Sequence, residues 1–229
     1  GPAVERELRR QSGGAPVRLT PWGVSAPPEP VTVFREGRTP AIVLVGQARN
    51  SAAYLAAFKA AGEVVRELPE ALLFADAVAA RRAPLWKLAK EMGVRGRLSL
   101  IDEMEAQRGL ALHGDVLLYP EAQGEQRTVL LDAMAAGMPI VAHEDPAVSS
   151  LIDQKTAVLV RSSHVEEWRE AVRSVVQDRE RARALGASAR EWVREHRRSS
   201  AYIASVLGLY EWTVSSDAIP FAASKAGAA

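Results

Sequence analysis

The stretch Asp115 to Ala142, DVLLYPEAQGEQRTVLLDAMAAGMPIVA, decides how this chain folds. It opens on a run of large apolar side chains, Val116 to Tyr119, and crosses a polar loop that begins at Pro120 and contains Gly124. Thr128 to Ala136 follows with helical composition, and Gly137 supplies a tight turn before a second apolar run at Ile140 to Ala142. Strand, loop, helix, turn and strand in that order make a βαβ unit, which sets its strands parallel with a right-handed crossover.

Outward from this unit the same alternation repeats. Strands are expected at Ala41 to Val45, Leu72 to Ala75, Leu98 to Ile101, Val116 to Tyr119, Ile140 to Ala142 and Ala157 to Val160. Helices are expected between them at Ala52 to Glu67, Pro84 to Met92, Glu103 to Leu112, Thr128 to Ala136 and, briefly, Ala147 to Ile152. The fold class is therefore α/β, a Rossmann-like doubly wound sheet of six parallel strands covered on both faces, with a ligand cleft at the carboxyl ends of the strands.

Beyond Val160 the pattern is wholly helical. Val165, Trp168, Ala171, Val172, Val175 and Val176 share one face, Leu185, Ala189, Trp192 and Val193 another, and Ser199 to Trp212 forms a third segment. These are C-terminal packing helices. At the other end Val4 to Gln11 has helical charge spacing, Val17 to Thr20 alternates like a short strand, and the proline-rich Ser25 to Pro30 reads as a linker. Three regions result: residues 1–30 as a tail and linker, 31–215 as the main domain with its closing helices, and 216–229 as a flexible small-residue tail.

Composition bounds the chemistry. With 229 residues, 48% of them apolar, the chain can bury a full core. Its 29 basic and 28 acidic residues leave a formal charge of +1, so no global field gathers nucleic acid or an acidic membrane. No cysteine is present, which excludes disulfides, thiolate catalysis and zinc-thiolate sites. The four histidines show no metal spacing, and no apolar run is long enough to cross a bilayer. The cytoplasm is the expected compartment. Gly46 and Gly62 do not form a dinucleotide-binding fingerprint, and Arg81-Arg82 reads as a solvated loop pair.

The segment Thr128 to Ala142 (TVLLDAMAAGMPIVA) closely resembles the donor-site helix of retaining glycosyltransferases of the GT-B fold, group 1 type, commonly T-V-L-L-E-A-M-A-x-G-x-P-V-V-A. The likeness runs outward in register. Val17 to Val24 (VRLTPWGV) is similar to the family's interdomain strand and turn, Leu88 to Ile101 to a helix and strand, and Trp168 to Tyr210 to the closing helices. The resemblance implies one half of a GT-B enzyme, the half that binds a nucleotide-diphosphate sugar as substrate, with no cofactor. The acceptor-binding domain is then expected ahead of residue 4, and Gly1-Pro2 reads as the scar of a cleaved tag. The isolated chain is expected to be inactive.

Physical chemistry supports an anion site at the same place. A loop that empties into a helix at Thr128 offers unpaired N–H groups, including those of Thr128 and Val129, and the positive end of the helix dipole to a pyrophosphate. Four residues on, Asp132 shares that helix face and can accept from two ribose hydroxyls, as the family's glutamate does. The competing reading is that Ala133 to Gly137 simply allows close helix-to-sheet packing.

Three departures from the family pattern bear on activity. The sugar-holding glutamate of the family stands eight positions before the helix carboxylate, which here is Gly124; Glu121 and Glu125 are displaced from it and either substitute or are solvated loop carboxylates. Arg127 falls where the family has Gly or Pro, to pair with phosphate or to stand exposed. At the first strand the family's Arg and Lys are replaced by Gly46-Gln47-Ala48-Arg49, so Arg49 is the remaining candidate cation for the leaving diphosphate. After the fifth strand Asp145-Pro146 replaces a glycine-rich loop and reads as a helix cap, with His143 facing the cleft just before it. Glu125 and Arg49 are thus the candidate catalytic groups; Gly46, Gln47, Glu121, Gly124, Arg127, Thr128, Val129, Asp132 and His143 are the candidate substrate-binding residues, and none is a metal ligand. The expected activity is hexosyltransferase-type transfer, against a glycosyltransferase-like scaffold that has lost transfer or a sugar-nucleotide epimerase.

Overall fold

The computed structural model describes residues 2–13, 17–102, 109, 113–121 and 128–215. A parallel sheet of six strands lies at their centre: β1 (Ala41–Leu44), β2 (Leu72–Asp76), β3 (Leu98–Ile101), β4 (Val116–Tyr119), β5 (Ile140–His143) and β6 (Val158–Val160). Their order is β3-β2-β1-β4-β5-β6, so the chain fills one side of β1, then jumps across it to β4. Each predicted strand is present to within a residue at either end.

Alternation along the strands divides the core. Ile42, Leu44, Leu73, Val116, Leu118 and Val141 belong to one apolar layer, while Val43, Val45, Leu117, Tyr119, Ile140 and Ala142 belong to the other. The first layer is covered by α2 (Ser51–Glu67), α4 (Leu85–Glu91) and α6 (Val165–Gln177), with Tyr54, Phe58 and Trp168 fully enclosed. Burying a side chain of this size stabilises the fold by roughly 1.5–3 kcal/mol. The second layer is covered by α5 (Thr128–Ala136) and α7 (Arg179–His196), through Val129, Leu130, Met134, Ala189 and Val193. Small residues let α5 lie flat on the sheet. Gly137, at φ +81°, ends it in a conformation that a side chain would strain.

The amino-terminal edge of the sheet is fastened by Asp115. Its carboxylate, 1% exposed, accepts from the N–H of Phe34, from the N–H of Ala41 at 2.8 Å and from the Arg38 guanidinium at 2.6 Å. A short helix, α1 (Pro2–Gln11), precedes all of this, and α8 (Ser199–Ser215) closes the described chain.

Four expectations are corrected. Val17 to Thr20 is extended without a strand partner; in the segment 17–30 only Val24 bridges, to Arg198 at the junction of α7 and α8 and not to the sheet. Ala147 to Ile152 is a series of turns and not a helix: the Asp145 carboxylate takes the Ala147 N–H at 2.8 Å, and the Thr156 hydroxyl takes that of Ile152 at 2.8 Å, so side chains displace the helical bonds. Asp145 accordingly caps a turn. Arg81 and Arg82 end a short helix, α3 (Ala77–Arg82), which Asp76 caps by accepting from Val78 at 2.8 Å. The predicted helix at 103–112, Gly109 apart, and the tail at 216–229 lie outside the described residues.

Candidate functional site

The strand order reverses between β1 and β4, and the crevice outside the carboxyl ends of those two strands is where open α/β sheets hold ligands. β1 leaves through Val45, Gly46, Gln47, Ala48, Arg49 and Asn50 into α2; β4 leaves through Pro120 and Glu121 toward α5.

Glu121 ties the two exits together. Only 6% exposed, its carboxylate accepts from the Gln47 N–H at 2.8 Å through Oε2 and from the Asn50 N–H at 2.6 Å through Oε1. Gly46 permits this approach: a Cβ at that position would stand 2.8 Å from Glu121 Oε2 and 2.9 Å from the Tyr54 ring. Beneath lies Tyr54, whose phenol is pushed well above its ordinary range by burial and then by the Asp76 and Glu121 carboxylates, and so stays neutral.

Two guanidinium groups meet at Gln47. Arg49 Nε donates to its side-chain oxygen at 3.2 Å, and Arg82 Nη1 donates to its carbonyl at 3.2 Å. Both arginines are exposed. Arg82 therefore belongs to the cleft rim. Its neighbour Arg81 turns instead to Asp102, 3.5 Å away.

On the β4 side Thr128 opens α5 half-buried, Val129 is buried, and half-buried Asp132 stands one turn further on. His143 closes β5, half-buried, with Nδ1 3.0 Å from the Glu144 carbonyl, while Glu144 pairs with Arg161 at 3.0 Å. Gly124, Glu125 and Arg127 lie outside the described residues. Gly46, Gln47, Arg49 and Glu121 are thus brought into direct contact or adjacency, and Thr128, Val129 and Asp132 share one helix. Asn50, Tyr54 and Arg82 join the first group. No sequence signal marks them, because their roles depend on chain segments tens of residues away. Among the described residues no group of three or more His, Cys, Asp or Glu could hold a metal ion, and no helix is long and apolar enough to cross a membrane.

Known proteins resemble this chain in sequence and in fold. The D-inositol 3-phosphate glycosyltransferase of Nocardia farcinica is 26% identical over 174 residues, covering 72% of this chain and 36% of that protein. The GDP-mannose-dependent alpha-(1-6)-phosphatidylinositol monomannoside mannosyltransferase of Mycobacterium tuberculosis is 33% identical over 123 residues, 48% of this chain and 31% of that protein. The chain thus spans about a third of the length of these two relatives. Among solved structures, sucrose-phosphate synthase from Thermosynechococcus elongatus superposes with a TM-score of 0.71 at 20% identity, over 93% of this chain and 57% of that one. TarM from S. aureus, solved with UDP bound, gives 0.69 at 15%, over 92% and 42%. The C-terminal domain of the group 1 glycosyl transferase LpcC from Francisella tularensis gives 0.60 at 14%, over 75% of this chain and 89% of that domain. The structural likenesses establish the fold. A family model for glycosyl transferases group 1 matches residues 39–178, which takes in β1 through α6 and every described residue of the cleft, and the chain belongs to that family.

Proposed function

We propose that this chain is the donor-binding half of a glycosyltransferase, holding a nucleotide-diphosphate sugar in the β1/β4 crevice for transfer to an acceptor carried by a further, N-terminal domain. The observation that carries this reading is the start of α5 at Thr128, beside the switch point, with Asp132 one turn along the same helix. Helix N-termini favour phosphate, and a carboxylate one turn away suits the ribose hydroxyls. Arg49 stands at the exit of β1, where it can share the charge of the departing diphosphate, and His143 at the end of β5 is a candidate contact to the substrate; Glu125 is proposed as the second catalytic group and Gly124 and Arg127 as substrate-binding residues on the family resemblance alone. A relative named for its dependence on GDP-mannose and a neighbour solved with UDP are consistent with this substrate class.

Support for the further domain comes from α8. Its half-buried face, Tyr202, Val206, Leu209 and Trp212, faces the incoming segment: the Trp22 and Tyr202 ring centroids are 5.1 Å apart and the Arg18 guanidinium lies 4.8 Å from the Trp212 ring centroid. The opposite face leaves Ile203, Leu207, Tyr210 and Val214 exposed at helical spacing.

Calorimetric titration with GDP, UDP and GDP-mannose tests the reading. Binding by at least one, weakened about tenfold by Asp132→Ala through loss of its ribose hydrogen bonds, is the expected result; no binding by any at millimolar concentration overturns it. A second reading, a scaffold that has lost transfer, is favoured by the Asp145-Pro146 turn that follows β5. Sugar transfer by the full-length protein that disappears in Asp132→Ala would exclude it.

A further inference from the structure

In a sheet of this order the phosphate seat is the turn between β1 and the helix that follows it, where backbone N–H groups gather at the helix N-terminus. Here that turn runs from Gly46 to Asn50 and feeds α2, a helix of 17 residues. Two of its N–H groups, those of Gln47 and Asn50, are already taken, at 2.8 and 2.6 Å, by the two oxygens of one carboxylate. That carboxylate belongs to Glu121, which arrives from the end of β4 and is 94% removed from solvent. The seat is shaped for it. A side chain at Gly46 would not fit, since a Cβ there would stand 2.8 Å from Glu121 Oε2 and 2.9 Å from the Tyr54 ring.

We infer that Glu121 is a built-in anion occupying the phosphate seat of the first βα turn, and that it sets how tightly this chain holds a diphosphate. The inference rests on the donor-binding reading above and deepens it. A carboxylate and a phosphate compete for the same N–H donors, and their like charges repel across a buried gap where water screens poorly. A diphosphate entering the crevice therefore either stays on the α5 side, at Thr128, or displaces Glu121. Arg49 and Arg82, both bonded to Gln47 at 3.2 Å, rim the same turn and supply the positive charge that keeps weak binding possible. Among the described residues, Tyr54 beside this turn is held neutral by burial and by the Asp76 and Glu121 carboxylates, so it does not offset the charge of Glu121.

Two variants separate charge from shape. Glu121→Gln keeps the size of the side chain and removes its charge; Glu121→Ala also empties the seat. GDP, UDP, inorganic pyrophosphate and the phosphate-free nucleosides guanosine and uridine are titrated into the chain and into both variants, with thermal melting to confirm that each variant is folded. The expected result is a gain of at least tenfold in affinity for the diphosphates and pyrophosphate in both variants, with nucleoside affinity unchanged. Equal or weaker diphosphate binding in the folded variants overturns the inference and leaves the donor-binding reading standing. A gain shared by the nucleosides also overturns it, since the effect is then one of space and not of charge. Absence of binding by every protein, variants included, overturns both.

Discussion

Asp115 and Tyr54 show how much of this fold depends on single buried polar groups. Asp115 satisfies two backbone N–H groups and the Arg38 guanidinium at the sheet's amino-terminal edge. Asp115→Ala leaves all three without that acceptor, and removing one partner of such a buried arrangement costs about 3 kcal/mol. Urea denaturation checks this; a loss below about 1 kcal/mol would contradict it. Nucleotide affinity is expected to be unchanged, because the crevice lies at the opposite end of β4. Tyr54 acts through pH. Its phenol ionises far above the unfolded value of about 10, since burial first and the Asp76 and Glu121 carboxylates next disfavour the phenolate. Stability from this group is complete below pH 10 and declines as pH rises, because only the unfolded chain then releases the proton. Melting temperatures between pH 9 and 11 are expected to fall in wild type and to fall less in Tyr54→Phe.

Helix contacts make sharper demands than helix propensity. On α7, Gly186 lies so close to the end of α5 that a Cβ would stand 1.9 Å from the Gly137 carbonyl oxygen, while Arg190 donates to the Ala135 carbonyl at 2.6 Å and to that of Pro28 at 3.1 Å. Gly186→Ala is expected to destabilise by about 2 kcal/mol, overpacking outweighing the gain in propensity. Gly208→Ala on α8, with nothing within 4 Å of the new Cβ, should stabilise by up to about 1 kcal/mol. Paired denaturation curves decide, and a Gly186→Ala variant as stable as wild type would refute the close contact. These same contacts explain which features were legible in the sequence. The strands were, since runs such as AIVL and VLLY are buried on both faces and need no partner to identify them. The turns at 147–152 were misread because the acceptors that break the helix, Asp145 and Thr156, act through geometry and not periodicity. Helix α3 was missed since six residues show no repeat. At the site, the Thr128 block announced itself by its composition, whereas the Glu121 contacts join residues more than 70 positions apart and leave no local trace.

A docked N-terminal domain would give the open face of α8 its purpose. Ile203→Glu with Leu207→Glu removes apolar area that is already in water, so the melting of this chain should shift by no more than about 0.5 kcal/mol equivalent. In the full-length protein the same pair is expected to lower the melting temperature and reduce sugar transfer at least tenfold. Unchanged transfer there would separate α8 from any domain contact. One earlier feature bears on how such a domain is joined. Val24 bridges to the junction of α7 and α8, its N–H bonded to the Arg197 carbonyl at 2.8 Å and its carbonyl to the Ser199 N–H at 3.2 Å, and Gly23 packs so tightly there that a Cβ would lie 2.6 Å from the Arg198 carbonyl oxygen. The chain thus enters and α8 departs side by side at one knot of backbone. Any body attached ahead of residue 17 and resting on α8 would therefore be tethered to this chain beside that knot, so that strain at the junction of α7 and α8 would be felt by both.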